Sequence, residues 1–382
     1  MHSLLICSAV LLSLGSVPVA LSTSWIGTNH FYLWAGDEGT RQKHLDVMKD
    51  ANVKVLRIFV VRSCPWDYQG VANVEGPVGT YHDEILNRIN DLMAEAHARG
   101  IKLTIALHDR WALGFWRNDA YTYKYNIDTR SAEQRAKEEK GKKGCEVLKL
   151  ENPDNFYKSE GAQLDFEERL RHILEHPNPH FGGRQWKDLT EVVFAWEAEN
   201  EPRFASNPKW LGRMSAFIKK MSPNILVADG GPEGGGPLPT PEEILTVAPT
   251  LDVLCIHQYS GSVHAKLDRW NKAALASGKR VLLEEFGFRK GDPRKPAQKN
   301  RPELKGLTQV GQRSYDYRVT IDACKQFNGV PWLFWDLVES KEANPDLLSV
   351  WPSDPLWKDV IVPKEKESRA YATSWRWPEL NI

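Results

Sequence analysis

The stretch EVVFAWEAENEPR, residues 191–203, decides how we interpret the fold. It begins with an almost unbroken apolar run, as expected for a strand buried on both faces of a parallel sheet. The run ends in carboxylates and a chain-turning proline. A second stretch of the same kind, VLLEEFG at residues 281–287, follows later in the chain. Strands of this type, alternating with helices, indicate an α/β protein with a parallel sheet.

Similar apolar runs recur along the whole chain. They predict strands at residues 25–34, 53–61, 102–107, 191–197, 225–228, 253–257, 281–286 and 330–335. Amphipathic patterns predict helices at residues 83–99, 166–176, 208–221, 241–247, 265–277, 312–327 and 367–374. Eight strands that alternate with helices predict a (β/α)₈ TIM barrel. We expect it to form one domain over residues 23–382.

Composition narrows the possible functions. Among 382 residues, 50 Lys and Arg are balanced by 50 Asp and Glu, so we expect neither nucleic acid nor an anionic membrane surface as a partner. The 15 tryptophans suit stacking on sugar faces. The chain shows no dinucleotide fingerprint, no phosphate-binding loop and no C-x-x-C zinc spacing. We therefore expect no cofactor and no metal.

The first residues have the character of a secretory signal, because residues 4–20 are mainly apolar and small residues follow. We predict a signal peptide over residues 1–22 and a secreted, extracellular monomer. A membrane anchor is the alternative, although a run of about 17 residues is short for a span. The cysteines that remain after cleavage permit two disulfides, or a buried free thiol at Cys255. These cysteines are Cys64, Cys145, Cys255 and Cys324.

Residues 117–155, long and highly charged, interrupt the alternation after the third strand. Two interpretations are open, a solvated loop or a lid that narrows one end of a cleft. Tyr121, Tyr123 and Tyr125 alternate there, which would place three rings on one side of an extended segment. Residues 289–304 and 230–239 predict two further loops, the latter beside the cleft.

Glu201 and Glu285 are the candidate catalytic residues. We expect them at the carboxyl ends of strands four and seven, where barrel enzymes place their active sites. A retaining glycosidase uses one carboxyl group as nucleophile and another as acid/base, roughly 5 to 5.5 Å apart. The acid requires a raised pKa, whereas the nucleophile must stay ionised. Salt-bridged rim residues are the alternative, but the coincidence of two such glutamates favours catalysis.

Residues 196–203 resemble the strand-four motif of glycoside hydrolase family 5, in clan A, and above all the W-E-L-A-N-E-P-R pattern of its β-mannanase branch. Residues 283–287 resemble the strand-seven motif of the same family. The similarity continues at residues 27–31 in strand one and 55–57 in strand two, and at residues 257–259 and 334–335 in strands six and eight. It therefore covers most of the predicted barrel.

This resemblance implies a role for each matching residue. Glu201 would be the acid/base, and Glu285 the nucleophile that forms a glycosyl-enzyme intermediate. Asn200 would hydrogen-bond the sugar 2-hydroxyl, and Arg57 would hold Glu285 ionised. Strict strand alternation would point Asn200 and Glu201 to opposite faces, so both can face the sugar only if the strand bends at its end.

The remaining matches imply contacts around that pair. His257 and Tyr259 would orient the two carboxylates, and Trp335 would form a platform under the sugar. Trp34 is a further candidate for substrate binding.

The chain also departs from the mannanase pattern. Ala198 and Glu199 replace Leu and Ala, and residues 108–111 read HDRW where the branch usually has asparagines and an aromatic. His108, Trp111 and Trp116 are therefore our candidates for the non-reducing side of the substrate.

We expect a secreted retaining hydrolase of β-linked cell-wall polysaccharide or oligosaccharide, with β-1,4-mannan as first choice. The alternatives are a hydrolase or transglycosylase acting on another β-glycan such as β-glucan, exo-acting if the insertion closes the cleft, or a barrel that binds sugar without cleaving it. Loss of a carboxylate would mark the last case, and both are present.

Overall fold

The computed structural model of the chain describes most of the predicted barrel. The described residues are 22–61, 71–113, 119–131, 133–134, 137, 152–233, 237–289, 291, 301–340, 347–370, 372–373 and 375–380. The predicted signal peptide up to residue 21 lies outside them, as do Trp116, Cys64, Cys145 and residues 138–151 of the segment 117–155.

Eight parallel strands close into a barrel, in which the last strand pairs with the first. In chain order they are β1 (Ile26–Asn29), β2 (Val55–Phe59), β3 (Lys102–Ala106), β4 (Val193–Glu197), β5 (Leu226–Ala228), β6 (Val253–Gln258), β7 (Arg280–Phe286) and β8 (Trp332–Phe334). Nearly every strand residue is buried, which explains why the strands appear as continuous apolar runs. The predicted TIM barrel and its eight strands are confirmed.

Helices follow the strands and pack around the barrel. They are α1 (Glu38–Asp50), α2 (Glu84–His97), α3 (Tyr121–Lys124), α4 (Asn155–Lys158), α5 (Glu160–Leu174), α6 (Pro208–Met221), α7 (Pro241–Val247), α8 (His264–Ser277), α9 (Gln309–Gln326) and α10 (Val362–Ser368). The helix predicted at 367–374 is wrong in position, because α10 begins and ends earlier. Helix α1 is not among the predicted helices.

Short elements connect these helices and strands. Two-residue strands pair at Ser22–Thr23 with Ala372–Thr373 and at Pro177–Asn178 with Arg184–Gln185. The rings of Trp25, Phe194 and Trp377 meet in a cluster with centroid separations of 5.3 to 5.5 Å. Trp25 precedes β1 and Phe194 lies early in β4, so these rings close the amino-terminal end of the barrel. The opposite, carboxyl end is left for the site.

The described part of the insertion packs against the fold. Tyr121 is fully buried, and its hydroxyl donates to Glu75 at 2.9 Å. The segment is helical there, so our extended interpretation is wrong. The rings of Tyr121 and Tyr125 lie on one side because they are one helical turn apart, with centroids at 6.2 Å. A wholly solvated loop is thus excluded for these residues.

Cys255 and Cys324 are buried free thiols within the described part of the chain. This outcome agrees with the alternative that the sequence left open for Cys255. Among the residues that the structure describes, no helix is long and apolar enough to span a membrane.

Candidate active site

Arg57, buried on β2, is the centre of the site. Its guanidinium donates to Glu197 through Nε at 2.9 Å and through Nη2 at 2.7 Å. The same group donates to Glu285, to Asn200 Oδ1 at 2.8 Å and to Asn29 Oδ1 at 3.2 Å. A fully buried charge is tolerated only when it is paired in this way. Arg57 therefore connects β1, β2, β7, β4 and the loop that follows β4.

Glu285 lies one residue before the end of β7. One carboxylate oxygen accepts from Arg57, and the other accepts from the Tyr259 hydroxyl at 2.5 Å. His257 Nδ1 lies 3.5 Å from the second oxygen. Burial raises the pKa of Glu285, while the charges of His257 and Arg57 oppose that rise. The carboxylate is thereby fixed in orientation by Arg57 from β2 and by His257 and Tyr259 at the end of β6, the strand that pairs with β7.

Glu201 stands four residues beyond the end of β4, on a loop rather than on the strand itself. Its backbone is left-handed, with φ of 49°, a conformation that costs a non-glycine residue about 1 to 3 kcal/mol. The N–H groups of Asn200 and Glu201 donate to His108 O at 2.9 Å and to Gly230 O at 2.8 Å. This turn lets Asn200 contact Arg57 while Glu201 contacts His257, which resolves the conflict with strict alternation.

Three donors surround the Glu201 carboxylate. Its Oε2 accepts from Arg110 Nη2 at 2.9 Å and from Trp111 Nε1 at 2.8 Å, and its Oε1 lies 3.0 Å from His257 Nδ1. The Arg110 guanidinium also lies 4.3 Å from the centroid of the Trp111 ring. Burial acts to raise the pKa of Glu201, but the His257 hydrogen bond and the charges of His257 and Arg110 outweigh it and lower that pKa to about 2.

His257, on β6, lies between the carboxylates. Its Nε2 is 3.1 Å from Glu284, opposite the nitrogen that faces Glu201. Burial acts to lower the pKa of His257, but the charge of Glu285 and the hydrogen bonds to Glu201 and Glu284 raise it to about 10. The loop at 230–233 covers the ring so closely that a Cβ on Gly231 would lie 2.4 Å from it.

The spacing within this group limits its chemistry. Donor or acceptor atoms of Glu201, His257 and Glu285 all lie within 4.8 Å of one another. Carboxyl groups of retaining glycosidases are roughly 5 to 5.5 Å apart, whereas inverting enzymes need roughly 6.5 to 9.5 Å to admit a water molecule. The arrangement therefore has the spacing of a retaining pair.

A comparison with known proteins agrees with this geometry. The family model described as "GH family 5 beta-mannosidase-like" matches residues 25–260, which is more than half of the chain. The chain belongs to glycoside hydrolase family 5. The match includes β1 to β6 and Glu201, and β7 with Glu285 follows it.

Individual relatives in family 5 are distant. The protein is 25% identical to the putative mannan endo-1,4-beta-mannosidase 9 of Oryza sativa subsp. japonica over 69% of this chain. It is 24% identical to the putative mannan endo-1,4-beta-mannosidase 4 of Arabidopsis thaliana, over 83% of this chain and 80% of that protein. The chain spans 66% of the length of the rice protein, and 48% and 57% of two other curated relatives that it matches.

Solved structures show the same fold. The endo-1,4-beta-D-mannanase from Thermotoga petrophila RKU-1 superposes with a TM-score of 0.62 at 22% identity, covering 90% of this chain and 99% of that chain. The family 5 mannosidase from Rhizomucor miehei gives 0.65 at 16% identity, covering 92% and 93%. The predicted resemblance to family 5 is confirmed by the family model, and these structures confirm the fold.

The family 5 site contains buried acids that we did not predict. Glu197 and Glu284 are fully buried beside Arg57, whose Nη2 lies 2.7 Å from a Glu197 oxygen and 3.6 Å from a Glu284 oxygen. Burial raises the pKa of Glu197 to about 8 against the opposing charge of Arg57. A buried acidic residue inside an apolar strand must be paired. Glu197 in residues 191–203 and Glu284 in residues 281–287 could therefore have been recognised from the sequence as paired, buried acids. No comparable sequence pattern marks Arg110 or Asn29 as a residue of the site.

Two predicted sugar contacts are wrong. Trp34 is fully buried, and its Nε1 donates to Phe59 O at 3.0 Å. His108 is also fully buried, with its ring nitrogens 2.7 Å from Glu199 and 2.9 Å from Asp119. Neither side chain is available to a substrate, because each belongs to the packing beneath the site. Glu199 is therefore paired within the barrel.

Two other predicted contacts, Trp335 and Trp111, are partly exposed at the carboxyl end of the barrel. Trp335 follows β8, is partly exposed and stacks on Phe31 with centroids at 4.8 Å and an interplanar angle of 12°. Trp111 is partly exposed and bonded to Glu201. Trp116 lies outside the described residues, so its predicted role stays a prediction.

Proposed function

We propose that this protein is a retaining β-glycosidase that cleaves β-1,4-mannan or its oligosaccharides by double displacement. The observation that carries this proposal is the separation of at most 4.8 Å between the functional atoms of Glu201 and Glu285. The bonds from Arg57 and Tyr259 to Glu285 support its assignment as the nucleophile.

The proposed reaction has two steps. Glu285 attacks the anomeric carbon and forms a glycosyl ester, while Glu201 gives a proton to the departing glycosidic oxygen. Glu201 then takes a proton from a water molecule, and the resulting attack at the same carbon releases Glu285. Asn200, fixed by Arg57 and by a 3.0 Å bond to Asp109, would hold the sugar 2-hydroxyl.

The first step requires a protonated Glu201, although the surrounding donors lower the pKa of that carboxyl group. His257 is the nearest source, because its raised pKa keeps a proton on the ring and its Nδ1 lies 3.0 Å from Glu201 Oε1. We infer that this proton moves to Glu201 when a bound sugar displaces water. The carboxylates and the imidazole would then titrate as one coupled group.

Mannan is the proposed substrate because the sequence relatives bear mannan endo-1,4-beta-mannosidase names. The test is incubation with β-mannan, β-glucan, xylan and short oligosaccharides, followed by proton NMR of the first product. We expect cleavage of the mannan set, with the new reducing end first in the β configuration. Cleavage of β-glucan alone would overturn the substrate, and an initial α product would overturn the retaining mechanism.

Glu201→Gln distinguishes acid from nucleophile. Because glutamine cannot give a proton, we expect natural substrates to lose about 10² to 10⁴-fold in kcat/KM. An aryl glycoside whose leaving group needs no proton should keep its glycosylation rate within about tenfold, measured in the pre-steady state. An equal loss for both substrates would exclude Glu201 as the acid.

We also propose that the protein is secreted as a monomer after removal of the apolar N-terminal segment. The mainly apolar sequence of residues 4–20, which is typical of a secretory signal, supports this proposal. Protein recovered from the medium of an expressing eukaryotic cell should begin close to residue 23 by mass spectrometry. Retention of residue 1 in membrane-bound material would favour the anchor instead.

A further inference from the structure

Two histidines and a glutamate form a second cluster at the carboxyl end of the barrel. His30 directly follows β1, His44 lies on the buried face of α1, and Glu339 follows β8. One potential ligand atom from each lies within 4.8 Å of the other two. Because β8 pairs with β1, residues far apart in sequence meet here. The proposed glycosidase chemistry uses none of them.

The distances in this cluster suit a shared ion better than direct bonding. His44 Nε2 lies 3.6 Å from Glu339 Oε1, too far for a hydrogen bond. The rings of His30 and His44 meet edge to face, with centroids at 4.9 Å and an interplanar angle of 81°. Two ligands of one tetrahedral Zn²⁺ lie about 3.4 Å apart, as follows from bond lengths near 2.0 to 2.1 Å.

Two buried ring nitrogens of this cluster have no hydrogen-bond partner within the described part of the chain. Among the described residues, neither His30 Nε2 nor His44 Nδ1 has a hydrogen-bond partner, although both atoms are buried. His44 is only 3% exposed. Native proteins rarely leave a buried polar atom unsatisfied, so His30 Nε2 requires an explanation such as a bound ion, whereas an ion on His44 Nε2 would not account for Nδ1 of that ring. A metal ion would satisfy His30 directly and would fill the gap between His44 and Glu339.

The donor set indicates the kind of ion. The potential ligand atoms are two imidazole nitrogens and one carboxylate oxygen. Imidazole favours Zn²⁺ and its neighbours over Mg²⁺ and Ca²⁺, which prefer oxygen ligands. Three protein ligands leave the fourth position of a tetrahedral site to water.

We propose that His30, His44 and Glu339 bind one Zn²⁺ ion, which cross-links the segment after β1, helix α1 and the segment after β8. The site is separate from Glu201, His257 and Glu285, and it does not depend on the proposed glycosidase function. Phe31, adjacent to His30, stacks on Trp335, so the ion would restrain the segment next to the proposed sugar platform.

The test is titration of the full chain, without a polyhistidine tag and stripped by chelator, with ZnCl₂. We expect one Zn²⁺ per chain by calorimetry and a saturable rise in Tm. Glu339→Gln should weaken binding by about tenfold or more, because it removes an exposed ligand without disturbing the core. A folded His44→Gln variant should also bind Zn²⁺ more weakly. If His44→Gln does not fold, Glu339→Gln alone decides the test.

Two control variants locate the ion. Glu84→Gln, which changes a similarly exposed carboxylate on α2, should bind Zn²⁺ like the wild type. Glu285→Gln should also bind normally, because its carboxylate belongs to the other cluster of potential ligands. The proposal is overturned if the wild type shows no saturable binding, if Glu339→Gln binds as tightly as the wild type, or if Glu285→Gln alone abolishes binding.

Discussion

Replacing Glu285 with alanine should reduce kcat by about four orders of magnitude or more, because the change removes the proposed nucleophile. The fold should persist, since Arg57 keeps its bonds to Glu197, Asn200 and Asn29. The measurement is turnover of an activated aryl glycoside, with circular dichroism to verify folding. Normal turnover in a folded variant would refute the assignment.

The same variant permits a test by chemical rescue. Removal of the side chain opens space at the anomeric carbon, so added azide should attack there and restore part of the turnover. The product should be an α-glycosyl azide, because a single displacement inverts the configuration. Azide rescue of Glu201→Ala should give the β product instead. Glu84→Gln, which changes an exposed carboxylate on α2 paired with Arg88, is the matched control and should retain wild-type activity.

Arg57→Met should lower the free energy of unfolding by about 3 to 5 kcal/mol, because it leaves buried carboxylates without their cation. Arg57→Lys should fold better yet lose about 10² to 10³-fold in kcat. Lysine retains the charge but cannot donate to Glu197, Glu285 and Asn200 together. Thermal unfolding and kinetics on an aryl glycoside would measure both effects.

The pH dependence of the Arg57 variants gives a second readout. The charge of Arg57 opposes the rise in the pKa of Glu285, so its loss should raise that pKa further. Activity requires ionised Glu285, so the acidic limb of Arg57→Met should move to higher pH. Arg41→Lys is the control, because Arg41 binds Glu95 through two nitrogens outside the site. The proposed role of Arg57 would be contradicted if the acidic limb of Arg57→Met did not move and Arg57→Lys kept the full kcat.

Much of the fold could be predicted because the strands of a parallel barrel are buried on both faces and are therefore apolar throughout. Helix α1 was not predicted because its buried face is partly polar. Its buried positions include Arg41 and His44, so its inner face does not appear as an apolar stripe. Helix α5 begins earlier than predicted, at a turn where Ser159 accepts from Ala162 N.

The site was predictable wherever a family motif or a strand end marked it. Glu201, Glu285, Asn200, Arg57, His257 and Tyr259 are brought together as expected. Trp34 and His108 were placed wrongly, because sequence pattern does not distinguish an aromatic ring that packs beneath a site from one that lines it. The contact of Arg110 with Glu201 depends on how the loops after β3 and β4 pack together, and a local sequence pattern does not predict that packing.

The bonds of Arg57 have a consequence for how activity is acquired. Its partners come from β1, β4 and β7, and Glu285 is 228 residues away in the chain. Asn29 in turn donates to the main chain of Glu284 and Phe334, on β7 and β8. A partly closed barrel, however compact, therefore lacks an organised nucleophile. Hydrolysis should begin only when the last strand has docked, which makes activity a direct indicator of complete folding.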